Sequence, residues 1–402
     1  MTNEVENVPE LRFPEFKGEW ESQKLKNKIV SIETGTNLLG SEDGQGIPLI
    51  KMGNIKRGYF SFDKLEKLNK DANIDKKNIA KKGDFLFNTR NTMELVGKSA
   101  TWTKKNAEYA FNSNIARLVF NDINTYFFNY LYNTPIMINK IRSLAVGTTS
   151  VAAIYPRDLK HLNFYLPTLR EQKKIGDFFS KLDQQIELEE KKLELLEQQK
   201  RGYMQKLFSQ ELRFKTKDNV YYSEWQLHKL GEIFKYSQGQ QISVDKQFSV
   251  KSNEMKRFIR IVDITENPEP RFVLYESDTG LVNKEDLFMI RYGRPGIVSI
   301  GFEGIIANNL FKLIPKIKIS TVYFYYLLSY NYYRINLLTN QSTMPALNFK
   351  SLDLLKFKIP SYKEQNKIGN FFTKFDELIE KQNQKIDGLK KRKKGFLQKM
   401  FI

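Results

Sequence analysis

The side chains with the most recognisable chemistry in this sequence are Arg, Lys, Asn, Gln and Thr gathered in short stretches beside glycine. An earlier group comprises Thr36 and Asn37 after Gly35, then Lys51, Asn54, Lys56 and Arg57, then Arg90 and Asn91, and last Thr148, Thr149 and Ser150. A later group comprises Gln238, Gln240 and Gln241 around Gly239, then Arg260, then Arg291, Tyr292 and Arg294 around Gly293. It ends with Asn308 and with Gln341, Ser342 and Thr343. Arg and Lys can grip guanine edges, Asn and Gln suit adenine, and main-chain N–H groups near glycine suit phosphate oxygens. Taken singly, each is also an ordinary polar loop residue. As an ensemble on a basic chain they describe a nucleic-acid surface.

Bond-making chemistry finds much less to work with. There is no cysteine, so disulfides, thiolate metal sites and cysteine nucleophiles are excluded. Two histidines, His161 and His228, stand far apart and cannot make a multi-histidine metal centre. No phosphate-binding P-loop, dinucleotide fingerprint, nucleophile elbow or zinc-protease motif occurs, and the Gly293–Gly296 stretch lacks the lysine of a P-loop. Asp84 and Asp286 occupy matching positions and could form a metal carboxylate pair, but each reads better as a turn residue at the start of a strand. No metal or cofactor is expected on this chain.

Charge identifies the partner. Lys plus Arg number 65 against 46 Asp plus Glu, a formal net charge of +19 over 402 residues. Such an excess calls for a polyanion, either nucleic acid or an anionic membrane surface. Residues 171–208 carry no net charge and residues 364–401 carry +5, which leaves +14 for the remainder. A membrane-surface helix would concentrate the charge on itself, so nucleic acid is the better partner. The first 25 residues lack an apolar core, and the greasiest run, Val322–Tyr333, is too short to span a bilayer, so a soluble, cytoplasmic protein is expected.

The elements that must position these groups are written twice. Leu166–Phe208 aligns without a gap on Ile359–Phe401 at a constant offset of 193, with 19 of 43 positions identical. Glu171-Gln172 answers Glu364-Gln365, Ile175-Gly176 answers Ile368-Gly369, and Phe178-Phe179 answers Phe371-Phe372. Upstream, Leu11-Arg12-Phe13 with Trp20 is echoed by Leu212-Arg213-Phe214 with Trp225. Lys51–Ile55 parallels Arg260–Ile264.

Each repeated segment follows a proline and places apolar residues in alternating steps of four and three, from Ile175 to Leu207 and from Ile368 to Met400. That is a heptad seam. Glu189 and Lys200 interrupt it in the first copy, Gln382 and Lys393 at the same slots in the second. Shared interruptions predict that the two helices pack on one another; the alternative is that each packs separately on its own module. The modules, 1–165 and 211–358, read as mixed α/β. Strands are expected over Phe85–Phe87, Ala116–Phe120, Phe258–Ile264 and Leu310–Ile314, and helices over Tyr126–Leu144 and Thr321–Leu338.

With these residues in place, the chain resembles the DNA-specificity subunit of type I restriction-modification systems. The residues that carry the likeness are Pro9–Phe16 with Trp20, Leu166-Pro167 with Glu171-Gln172, Ile359-Pro360 with Glu364-Gln365, and Asp84 and Asp286; Lys284-Glu285 stands where the family has glycine before Asp286. Both repeats are present, so a full-length rather than half-size subunit is expected. The resemblance implies target-recognition domains at 1–165 and 211–358, each reading half of a bipartite, asymmetric sequence in double-stranded DNA. It implies spacer helices at 166–210 and 359–402 that form an antiparallel coiled coil and relate the domains by a pseudo-two-fold axis. It also implies two methyltransferase subunits and restriction-translocase subunits as partners. S-adenosylmethionine, ATP and Mg2+ would belong to those partners, and this chain would be non-catalytic. Phe178, Phe179, Phe371 and Phe372 are candidate docking residues for the methyltransferase subunits.

Three other classes compete. A stand-alone sequence-specific DNA-binding regulator would bind DNA without a partner. A DNA-cleaving enzyme would need a carboxylate–lysine metal site, which the sequence does not assemble. A coiled-coil adaptor would leave the basic modules unexplained.

Overall fold

The computed structural model describes residues 7–105, 107–266, 268–339 and 345–402. The chain divides into two compact units, one comprising Met1–Glu190 with Gln384–Ile402 and the other Lys191–Asn383. The divisions fall inside the two long helices, Leu169–Phe208 and Tyr362–Lys399, rather than at their starts. The structure is mixed α/β.

In the first unit, an antiparallel four-stranded sheet runs in the order Ile29–Thr34, Ile115–Phe120, Phe85–Asn88, Ser99–Thr101. A second sheet orders Glu66–Lys67, Pro48–Ile50 and Ala110–Phe111, the last pair parallel. Glu21–Lys24 pairs with Asn163–Leu166 immediately before the first long helix begins. A third sheet joins Arg90–Asn91 to the hairpin of Val146–Gly147 and Ala152–Ala153.

The second unit orders its antiparallel sheet Phe234–Gln238, Leu310–Pro315, Leu287–Ile290, Val298–Ser299. Its other sheet includes the parallel pair Met255–Ile259 with Gly304–Ile306. Gln226–Lys229 pairs with Lys356–Ile359 just before the second long helix.

Three expectations need correction. The strand expected over Phe258–Ile264 ends at Ile259, and Ile261–Thr265 is a short helix in which the Asp263 carboxylate accepts from the N–H of the N-cap residue Arg260. The helix expected over Tyr126–Leu144 is two, Thr125–Tyr132 and Pro135–Ser143. Pro135 lacks the N–H needed to continue the first, and the Thr134 hydroxyl accepts from Met137 N–H to start the second. Thr321–Leu338 likewise breaks at Asn331, whose carboxamide donates back to the Leu327 carbonyl.

The doubled Glu-Gln motif fastens each module to its helix. Glu171 is fully buried and accepts from Arg12 through Nε and Nη2, both at 2.7 Å, and from Trp20 Nε1 at 3.4 Å. Glu364, equally buried, accepts from Arg213 Nη2 at 3.0 Å and Trp225 Nε1 at 3.2 Å. Removing one partner of such a pair strands a buried charge, at a cost of about 3–5 kcal/mol. Gln172 accepts from Asn124 N–H and donates to the Pro167 carbonyl; Gln365 does the same with Ser320 and Pro360. Asn124 and Ser320 are the N-caps of the module helices. A Cβ on Gly176 would stand 2.9 Å from Phe127 N, and one on Gly369 would stand 3.1 Å from Tyr323 N. Glycine after isoleucine lets the helix start sit against the long helix.

Within each unit the two long helices also pair with each other. In the first unit Asp183 takes Lys393 at 2.5 Å, Glu189 takes Lys385 at 2.8 Å, and Phe178 packs on Phe396. In the second, Asp376 takes Lys200 at 2.5 Å and Phe371 packs on Tyr203. Residue numbers rise on one helix as they fall on the other, so each pair is antiparallel. Three of the four polar slots, Glu189, Lys200 and Lys393, are therefore ion-paired, and a module tyrosine joins two of the pairs: Tyr130 donates to Asp183, Tyr326 to Asp376. Burial, with the neighbouring carboxylate second, pushes both phenols well above their ordinary range.

Candidate nucleic-acid interface

The two polar turns after glycine are built alike. In each unit the first strand of the antiparallel sheet leads into a glycine set against the carbonyls of a neighbouring segment. A Cβ on Gly35 would fall 2.0 Å from Phe111 O, and one on Gly239 2.1 Å from Ala307 O. No side chain fits there, and the residue that follows bridges in parallel to its neighbour: Thr36 to Asn112, Gln240 to Ala307. The same backbone thus presents Thr36-Asn37 in one unit and Gln240-Gln241 in the other. Asn37 and Gln241 are exposed, whereas Thr36 is buried and its hydroxyl accepts from Leu38 N–H.

In the second unit the structure gathers most of its candidates. Gln240, Gln241, Arg260 and Asn308, together with Arg271 and Gln247, line an open cleft of about 400 Å3. Gln238 donates to the Asn308 carbonyl and accepts from Arg291 Nη1 at 2.8 Å. Arg291 also lies 4.2 Å above the Phe349 ring, a cation–π contact that fixes its plane. Arg260 is held by Asp263 at 2.9 Å. Tyr292 bridges to Ala346 and lies under the Arg291 guanidinium, while Arg294 is exposed. Gln341, Ser342 and Thr343 lie outside the described residues. A cleft lined by Arg, Gln and Asn side chains can present both donors and acceptors to base edges.

In the first unit, Arg90 and Asn91 form a strand of the small three-stranded sheet, and Thr148, Thr149 and Ser150 are the exposed tip of its hairpin. Sequence separation of some 60 residues is closed there by main-chain pairing. Two other candidates are occupied by the fold. Asn54 is buried, accepts from Lys51 N–H at 2.8 Å and donates to the Ser61 and Lys64 carbonyls, so its carboxamide holds its own loop. Lys51 pairs with Glu66.

Arg57 introduces residues that sequence reasoning missed. Its Nη2 donates to the Glu94 carbonyl at 3.1 Å, and Arg142 Nη2 reaches the same oxygen at 3.5 Å. Burial, then Arg142, pulls the Arg57 guanidinium below its ordinary range; burial, then Lys56 and Arg57, does the same to Lys98. Lys98 and Arg142 lie in different segments, with no spacing that could have revealed them.

Asp84 and Asp286 prove to be turn residues at strand starts. Each accepts from an N–H three residues back, Lys81 and Asn283, and each neutralises a cation of the next strand, Arg117 at 2.8 Å and Lys312 at 2.6 Å. The four phenylalanines divide into two buried and two half-buried. Phe179 and Phe372 are fully buried in their units' cores and have no surface for a partner. Phe178 packs on Phe13, Phe179 and Phe396, and Phe371 on Tyr203, Phe214 and Phe372. They sit on the seam side of the helix, where the module closes over them. Among the described residues, no helix is long and apolar enough to cross a membrane.

Comparison with known proteins agrees with this arrangement. The family model for the type I restriction modification DNA specificity domain matches residues 17–198 and 222–391. A putative type I restriction enzyme MjaX specificity subunit from Methanocaldococcus jannaschii is 28% identical over 408 residues, covering 98% of this chain and 95% of that protein. The MjaVIII specificity subunit of the same organism is 26% identical over 182 residues, 44% of this chain and 42% of the other. Among solved structures, the S subunit of a type I restriction-modification system from M. genitalium shares the fold with a TM-score of 0.63 at 18% identity, covering 98% of this chain and 99% of that one. A chain from a study of complex assembly and conformational transition in the type I system shares it at 0.56 and 15%, covering 95% and 97%.

Proposed function

The chain belongs to the type I restriction-modification DNA-specificity family, and from that premise we propose that each unit reads one half of a bipartite, asymmetric duplex target. The protein is a specificity subunit of a type I restriction-modification system. The observation that carries the finer reading is the pair of glycine-led turns. One backbone construction, sterically closed to any other residue at Gly35 and Gly239, presents Asn37 in one unit and Gln240-Gln241 in the other. Equal frames with unequal side chains are what reading two different half-sites requires.

The long helices serve as spacer in this reading, as one antiparallel coiled coil that fixes the distance between readers. The antiparallel ion pairs within each unit support it. Methyltransferase subunits and restriction-translocase subunits would bring S-adenosylmethionine, ATP and Mg2+, and all bond-making chemistry would be theirs. The carboxylates that metal chemistry would need, Asp84 and Asp286, are already committed to Arg117 and Lys312.

Exchange of residues 1–165 for the corresponding segment of another family member tests the reading. Sequencing methylated adenines in cells that carry the hybrid with its methyltransferase should show one half-site replaced and the other retained. An unchanged motif, or loss of both halves with intact methylation elsewhere, would contradict it. Tight, specific binding by the purified chain alone would favour a stand-alone regulator instead.

A further inference from the structure

We propose that Arg57, Lys98 and Arg142 form a phosphodiester-binding notch in the first unit, a sequence-independent grip beside the bases read there. The inference rests on the DNA-reading role above and assigns part of it to residues that touch backbone rather than bases.

Several other half-buried cations of this fold are ion-paired. Arg117 has Glu33 and Asp84; Arg12 has Glu171; Arg213 has Glu364; Arg257 and Arg260 share Asp263; Lys312 has Asp286. Each of these meets a carboxylate, which offsets the cost of desolvating a charge, whereas Arg291 is held by Gln238 and the Phe349 ring.

Arg57 and Arg142 break the pattern. They converge on one neutral acceptor, the Glu94 carbonyl. Arg57 Nη1 and Arg142 Nε are buried with no hydrogen-bond partner. Lys56 and Lys98 add charge of the same sign beside them, and the Glu94 carboxylate, the anion within electrostatic reach, belongs to an exposed residue. Like charges are held together with donors unspent, an arrangement that stores repulsion until an anion enters. The planar fork of a guanidinium matches two oxygens of a phosphodiester, and a lysine adds a point charge.

Location supplies the identity of the anion. The Glu94 loop follows directly on Arg90-Asn91, and Met93 N–H donates to the Thr149 carbonyl at the hairpin tip. The notch is thus tied by main-chain bonds to the strand and hairpin that present Arg90, Asn91 and Thr148–Ser150. In the second unit, the position matching Arg57 in the aligned loop is Glu266, which faces Arg294 at 3.9 Å. The grip belongs to the first unit.

The test uses the full-length chain in complex with its methyltransferase subunits, and two duplexes: the target found by methylation mapping and a scrambled one. Arg142→Gln and Lys98→Gln should each weaken both duplexes by about fivefold to tenfold at 0.1 M salt and reduce the log–log salt slope by about one. The methylation motif should not change. Arg142→Lys, which keeps the charge, should retain the slope, and Lys26→Gln, at an exposed lysine that is not part of the notch, should leave it unaltered. Unaltered slopes in Arg142→Gln and Lys98→Gln, with melting temperatures intact, would overturn the notch while wild-type discrimination stands. A changed motif would overturn it too, by making these residues base readers. Wild-type protein that fails to distinguish the duplexes would sink the underlying reading instead.

Discussion

At the scale of single residues, function here depends on where a side chain is forbidden. Gly35 and Gly239 each lie so close to a neighbouring carbonyl oxygen that a methyl group would overlap it, at 2.0 and 2.1 Å. Both offending atoms are main chain, so relief requires moving a strand. Gly239→Ala should therefore cost several kcal/mol, in the range of about 2–4 for forced overpacking with lost strand contacts. It should also abolish recognition of the second half-site alone, which methylation mapping would show as partial loss of the motif. A neutral outcome in melting and in motif would mean that the turn is not sterically fixed. Sequence made these turns visible, because Gly beside Thr-Asn or Gln-Gln is an unusual polar signal. It hid the difference between Asn54, folded inward to hold a loop, and Asn37, exposed one turn earlier. Both are asparagines in a polar stretch, and direction is set by the surrounding backbone.

At the scale of elements, the heptad and its interruptions were legible because helix periodicity survives in the order of residues alone. Ile175, Phe179, Ile186, Ile368, Phe372 and Ile386 are all buried where the pattern put them. The alternatives of helix-on-helix and helix-on-module were not exclusive, since Tyr130 and Tyr326 meet the same aspartates as Lys393 and Lys200. Helix breaks were less legible. Pro135 stood in plain sight, yet the aromatic run around it is apolar enough to mask the stop. If the helices are the spacer, seven residues added to each, at 190 and at 383, lengthen it by about 10.5 Å at 1.5 Å per residue. Duplex rises about 3.4 Å per base pair, so the gap between half-sites should grow by about three pairs with both halves intact. Methylation mapping of the doubly extended protein reads that number directly; an unaltered gap would remove the helices from that role.

At the scale of the whole molecule, the unit boundaries were the least legible feature. A linear reading divides the chain into recognition domains 1–165 and 211–358 and spacer helices 166–210 and 359–402. The compact units divide inside the two long helices, at 190 and 383, and the first is assembled from both ends of the sequence. Met400 and Phe401 are buried against the first unit's core, Phe401 within ring contact of Trp20, Phe127 and Phe179. Leu11 N–H donates to the Lys399 carbonyl at 2.8 Å. Truncation after Asn383 should consequently destabilise the module at the opposite end of the sequence. Burial lost at Met400 and Phe401 alone is worth about 3–6 kcal/mol. Tryptophan fluorescence from Trp20 and Trp102 during denaturant melting should show an earlier transition, while Trp225 in the second unit shifts less.

That stitching also orders events in time. A ribosome that has delivered residues 1–190 has supplied every strand of the first unit's sheets and most of its hydrophobic centre, yet the face that Phe396, Met400 and Phe401 will cover stands bare until some two hundred further residues have been made. The second unit, continuous from 191 to 383, has no such wait. Synthesis and maturation thus run in opposite directions along this polypeptide, and the part translated first is the part finished last.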